Sequence, residues 1–108
     1  MDAEALARGY YEAIDEGEYE RLRELLDPHF VQERSDRTFE GRDEFVSFMR
    51  DDRPETDTTH EVEHVTTESD RVVVEGVLRR ANGDLWFRFA DAFAIEDGRL
   101  ASLRTYTS

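Results

Sequence analysis

Two groups of residues in this chain have types and spacings that could do chemistry. His60-Glu61-Val62-Glu63-His64 has the H-E-x-x-H spacing of zinc metalloproteases, in which one turn of helix brings two histidines to a single metal. The surrounding residues, Thr56, Thr58, Thr59, Val62, Val65, Thr66 and Thr67, have strand composition. On a strand rising ~3.3 Å per residue the two imidazoles stand about 13 Å apart, too far to share one zinc, so no metal site is expected. Strict alternation would put His60, Val62 and His64 on one side of the sheet, where a histidine could meet a ligand or simply face water.

The second group lies between Leu85 and Ile95. Alternation places Leu85, Phe87, Phe89, Asp91, Phe93 and Ile95 on one face, and Trp86, Arg88, Ala90, Ala92 and Ala94 on the other. Asp91 therefore falls in the middle of the most apolar stripe of the chain. A carboxylate buried there needs a partner or a raised pKa, which is how a site carboxyl is made. The bland reading is a bulge turning Asp91 outward, or a structural pair with an arginine such as Arg104.

The elements that position these residues follow from a change of hydrophobic period. Ala3, Leu6, Tyr10, Ala13 and Ile14 recur at helical spacing behind Asp2 as cap, ending near Gly17. Tyr19, Leu22, Leu25 and Leu26 make a second short helix closed by Asp27-Pro28. His29 to Arg34 is extended, with a turn at Ser35-Asp36-Arg37 into Thr38-Phe39. A third helix starts near Arg42, buries Phe45, Phe48 and Met49, and stops before Pro54. After Pro54 come four strands, Thr58–Thr67, Arg71–Arg80, Leu85–Ile95 and Arg99–Thr107. Ser69-Asp70 turns between the first two, and Asn82-Gly83 and Asp97-Gly98 read as two-residue hairpins. The class is α+β, with three N-terminal helices covering one face of a curved antiparallel sheet.

Composition limits the partners. The 108 residues carry 27 Asp plus Glu against 14 basic residues, a net charge of −13, and no cysteine, which removes disulfides and thiolate sites. All 14 basic residues are arginine and they are scattered, so no basic patch for nucleic acid is expected. No apolar run approaches a membrane span, and the N-terminus lacks a signal peptide's apolar region, so the expected location is the cytoplasm. Acid excess with arginine in place of lysine fits the cytoplasm of a halophilic organism, where a Debye length near ~3 Å at 1 M salt screens the self-repulsion; a GC-rich genome would also favour arginine. On the halophile reading, thermal melts against KCl show stability rising with salt, and a flat response removes that reading.

Three strings then resemble a known family. They are Tyr10-Tyr11-Glu12-Ala13-Ile14-Asp15-Glu16-Gly17-Glu18, Leu26-Asp27-Pro28-His29-Phe30-Val31-Gln32-Glu33 and Phe93-Ala94-Ile95-Glu96-Asp97-Gly98-Arg99-Leu100. With the order of elements, they are similar to the nuclear transport factor 2-like superfamily, and most to its SnoaL-like (polyketide-cyclase-like) and ketosteroid-isomerase-like members. The resemblance covers nearly the whole chain and implies one SnoaL-like domain over residues 1–108, with a cone-shaped pocket between helices and sheet. Laid residue by residue over ketosteroid isomerases, it puts the oxyanion-hole tyrosine on Tyr10, the neutral aspartic acid on Asp91 and the proton-moving carboxylate on Glu33. It also implies a pocket lined by Phe30, by Trp86 or Phe89, and by His60.

The expected function is small-molecule binding. If the protein is an enzyme, the resemblance implies an isomerase, cyclase or lyase that abstracts a proton next to a carbonyl without a cofactor or metal. The alternative is a non-catalytic interaction or ligand-sequestering domain. On either reading the expected partners are a small molecule and a second copy of the chain paired through the sheet near Trp86 and Ala90, Ala92 and Ala94, with neither nucleic acid nor membrane.

Overall fold

The computed structural model describes residues 2–108. Helix α1 runs Ala3–Glu16, with the Asp2 carboxylate accepting the Ala5 N–H at 2.7 Å as N-cap. Leu6, Ala7, Tyr10, Ala13 and Ile14 are buried as the helical period requires, and Tyr11 is buried beside them. Helix α2, Tyr19–Leu25, passes directly into strand β1, Leu26–Glu33, so the chain is already extended at Asp27-Pro28. Strand β2 is Thr38–Glu40. Helix α3, Arg42–Ser47, continues as one π-helical turn, Phe48–Asp52. Strands β3 (Thr59–Glu68), β4 (Arg71–Arg79), β5 (Leu85–Glu96) and β6 (Arg99–Thr107) complete the chain.

The six strands form one curved sheet in the order β2-β1-β6-β5-β4-β3. The expected four-strand meander is present, but the sheet is mixed, because β1 lies parallel to β6 while every other pair is antiparallel. Periodicity identifies a strand without giving its neighbour, and this pairing joins segments some 70 positions apart. The helices cover the inner face. Phe45 of α3 packs against Phe30 at 5.1 Å, Phe39 at 5.8 Å and Tyr10 at 6.1 Å between ring centroids, and Tyr10 meets Phe93 at 5.2 Å. Phe30 is thus fully buried in the aromatic core, and the expectation that it lines a ligand pocket is corrected.

Three local departures from regular β structure decide which way side chains face. In β3 the register steps from Val62↔Gly76 to His64↔Glu75, leaving Glu63 as the extra residue of a bulge. Val62 and Val65 therefore face inward, whereas His64 is exposed, which overturns the expected common face of His60 and His64. In β5 the pairing steps from Leu78↔Phe87 to Arg79↔Leu85, so Trp86 is the extra residue and breaks the alternation that grouped it with Ala90, Ala92 and Ala94. The β4–β5 connection also differs from a two-residue hairpin. Only Gly83 has positive φ (92°); Gly83 N–H bonds the Arg80 carbonyl at 2.8 Å and Arg80 N–H the Asp84 carbonyl at 2.9 Å, a three-residue loop. Asp97-Gly98, with φ of 51° and 75°, is the two-residue hairpin expected.

Gly76, paired with Val62 beside the β3 bulge, has no room for a side chain. A Cβ there would stand 2.3 Å from the Glu61 carbonyl oxygen and 3.0 Å from the Phe89 ring. The first obstacle is backbone in a paired strand, so the ladder itself must shift. Gly76→Ala is expected to cost about 1–3 kcal/mol, read as a lower denaturant midpoint at unchanged slope. A midpoint equal to that of the native protein would show that the strand yields freely.

Candidate functional site

A cleft of about 230 Å³ opens between the inner face of β3–β6, the end of β1 and the segment from Phe48 to Thr58. Its apolar wall comes from Phe48, Met49, Leu78, Trp86, Phe87 and Phe89, and its polar lining includes Tyr10, Gln32, Arg34, Arg53, His60, Asp91 and Thr105. Alternation along β5 aims Phe89, Asp91 and Phe93 at the helices, as the sequence pattern requires.

Asp91 is 4 % exposed. The Tyr11 hydroxyl donates to its Oδ2 at 2.6 Å, while Oδ1 has no hydrogen-bond partner among the described residues. Burial pushes the Asp91 carboxyl above the usual carboxylate range, against the pull of Tyr11, Thr105, His60 and Arg34, each of which favours the charged form. Burial and the proximity of Asp91 hold the Tyr10 and Tyr11 phenols well above their ordinary range, so both are donors at physiological pH. Tyr10 and Asp91 both line the cleft, but the hydroxyl that grips Asp91 belongs to Tyr11. Arg104, the other partner considered for Asp91, is turned to Glu33.

His60 enters from β3 and is held twice by Asp15, which lies one helical turn beyond Tyr11 on α1. The Asp15 carboxylate accepts the His60 backbone N–H at 2.9 Å and approaches its Nδ1 at 2.6 Å. A carboxylate at Nδ1 keeps the proton on that nitrogen, so the neutral ring presents the Nε2 lone pair. The imidazole packs 5.0 Å from the Tyr11 ring and 5.6 Å from Phe89, between centroids. Two hydrogen-bonded pairs, Asp15–His60 and Tyr11–Asp91, therefore stand side by side at the cleft.

Glu33 is not brought to this site. Its side chain is half-exposed and bonded to Arg104 at 2.9 and 3.0 Å, and it does not line the cleft. Parity explains the difference: Leu26, Phe30 and Gln32 are the buried positions of β1, so Glu33 faces away. Arg34, on the cleft side, contacts Asp36 at 3.4 Å and not Glu33. Gln32 takes the inward place. It donates from Nε2 to Thr105 Oγ1 at 2.9 Å and leaves its buried Oε1 unpartnered. Tyr11, Asp15 and Gln32 were missed in the sequence, although the helical spacing of Tyr11 and Asp15 and the alternation Phe30, Gln32 were signals for all three. Among the described residues no group of three His, Cys, Asp or Glu could hold a metal ion, and no helix is long and apolar enough to cross a membrane.

Residues 7–103 match the SnoaL-like domain family. The chain belongs to that family. This SnoaL-like chain has the NTF2-like fold: it superposes on an NTF2-like protein of unknown function from Cytophaga hutchinsonii with a TM-score of 0.86 at 16% identity, covering 100% of this chain and 91% of the other. A Jannaschia protein named as a SnoaL-like polyketide cyclase gives 0.82 at 20% identity over 98% and 85% of the two chains. An epoxide hydrolase from M. tuberculosis gives 0.78 at 16% identity over 98% and 82%. No curated protein matches the chain by sequence. At these identities the likeness is one of fold, and the neighbours' differing names leave the reaction to be argued from the site.

Proposed function

We propose that this SnoaL-like protein binds a small organic molecule in the cleft and moves a proton next to its carbonyl group. The observation that carries this reading is the pair of dyads, Asp15–His60 and Tyr11–Asp91, on one apolar-walled cavity. His60, oriented by Asp15, takes the proton at Nε2; the protonated Asp91 carboxyl and the Tyr10 hydroxyl donate to the oxygen on which charge develops. Tyr11 holds Asp91 in place and is a positioning residue. The role that resemblance assigned to Glu33 passes to His60, because Glu33 is paired with Arg104 outside the cleft.

The test is deuterium washout from α-deuterated 2-tetralone followed by NMR. Acceleration over buffer supports proton abstraction; binding without acceleration leaves the ligand-sequestering alternative. Pairing of two copies through the outer sheet face is supported by the small residues Ala90, Ala92 and Ala94 beside the exposed Val73 and Tyr106. Trp86 belongs to the cleft and is not part of that proposed interface. Sedimentation in molar KCl is expected to give a dimer, and a monomer would remove this interface.

A further inference from the structure

One arginine at the cleft, Arg53, lacks the acid partner that its neighbours have. On the surrounding surface Arg79 pairs with Glu61, Arg88 with Glu63, Arg104 with Glu33, and Arg80 with Glu55. Arg53 has no carboxylate within ion-pair distance among the described residues. Its Nε donates to the Met49 carbonyl at 2.8 Å and one terminal nitrogen to the Tyr19 hydroxyl at 3.1 Å. That anchoring fixes the guanidinium at the cleft without neutralising it. Arg34, beside it on the cleft, is paired at 3.4 Å with Asp36, whose carboxylate is exposed to solvent. In a chain with 27 acids and 14 arginines, a partly buried arginine left without an acid at a cavity is against the general balance.

The charges around these arginines narrow the ligand further. Glu55 lines the same cleft, but its carboxylate is engaged by Arg80 at 3.2 Å, and Arg80 itself lies 4.4 Å over the Trp86 ring. The Asp91 carboxyl is held by the Tyr11 hydroxyl and makes no ion pair with Arg34 or Arg53. The cleft thus combines the unpaired Arg53 guanidinium, with Arg34 near it, and a wall of Phe48, Met49, Leu78, Trp86, Phe87 and Phe89. A cationic ligand would meet two guanidinium groups, and an inorganic anion would leave the apolar wall unused.

We infer, resting on the binding reading above, that the ligand is an aromatic or alicyclic carboxylate, its ring against the apolar wall and its carboxylate held by Arg53 and Arg34. Planar guanidinium groups suit that anion, because two parallel N–H groups match its two oxygens.

The experiment is equilibrium dialysis of the whole protein, at one fixed KCl concentration, with 2-naphthoate and its neutral counterpart 2-naphthamide. The native protein is expected to bind the carboxylate about tenfold more tightly than the amide, the scale of one charge-assisted contact. Arg53→Gln and Arg34→Gln should each shrink that ratio and the double variant should bring it to one, whereas Arg53→Lys, which keeps the charge, should restore part of it. Arg34→Gln keeps the test decisive if loss of the Arg53 anchor unfolds the chain. Equal binding of the two probes by the native protein, or a preference that survives the double variant, overturns the inference while the cleft stands as a binding site. Retention of neither probe removes both.

Discussion

His60→Gln is expected to slow deuterium washout from α-deuterated 2-tetralone by about 10²- to 10⁴-fold, the range for loss of a positioned general base. Glutamine keeps the polarity and approximate reach of the ring but has no basic nitrogen. Binding should change little, since the cavity wall is made by other residues and occupancy can be followed by the fluorescence of Trp86, the single tryptophan, which lines the cleft. Asp15→Asn should give a smaller loss. An amide still accepts the His60 backbone N–H, but it can also donate to Nδ1 and so favour the wrong tautomer. Washout unchanged in His60→Gln would remove the histidine from the mechanism and return Asp91 itself to consideration as the base.

Asp91→Asn is expected to move stability and activity in opposite directions. Asparagine can still accept from Tyr11 through its carbonyl oxygen, and it replaces a carboxyl whose charged form burial disfavours with a neutral amide. The gain at neutral pH should be on the order of 1 kcal/mol for each unit by which burial raises that pKa. Its pH dependence has a definite sign. Burial raises the Asp91 pKa in the folded protein, so between the unfolded value near ~3.9 and the raised folded value the folded state holds the extra proton. Native stability carried by this group therefore falls as pH rises through that window, while asparagine does not titrate. The variant's advantage should be least below about pH 4 and complete above the folded value, as read from urea melts at fixed KCl. Washout should fall by about 10²- to 10³-fold if Asp91 donates to the developing oxyanion. A variant less stable at every pH would show that Asp91 is a structural carboxylate, paired and charged.

These two residues differ in how far they were legible in the sequence. Asp91 was visible because β5 keeps its alternation across Phe89, Asp91 and Phe93, and one polar residue in an apolar stripe stands out whatever the stripe packs against. Its partner was not visible. The hydroxyl comes from α1, 80 positions earlier, and Tyr10 and Tyr11 have the same side-chain chemistry. Only the rotation of α1 over the sheet gives Tyr11 the contact with Asp91 and sets Tyr10 against Phe45 and Phe93. Glu33 shows a different failure. Resemblance carried a residue type to a position, but β1 buries Phe30 and Gln32, and a strand places neighbours on opposite faces.

From its sequence alone this chain is an acidic α+β domain of the SnoaL-like kind, with its helices first, a meander after Pro54 and one anomalous carboxyl at Asp91. The family came from resemblance; the elements and the carboxyl depend on patterns between near neighbours along the chain, where helix and strand periods are set by local backbone geometry. The tertiary structure decided which residues meet: His60 with Asp15, Tyr11 with Asp91, Glu33 with Arg104, and β1 beside β6. It also decided which face a residue occupies at a bulge: the extra residue Glu63 turns His64 away from the face of His60, and the extra residue Trp86 sets Leu85 and Trp86 out of step with the rest of β5. The chemistry proposed for the cleft depends on those long-range meetings, which local periodicity does not encode.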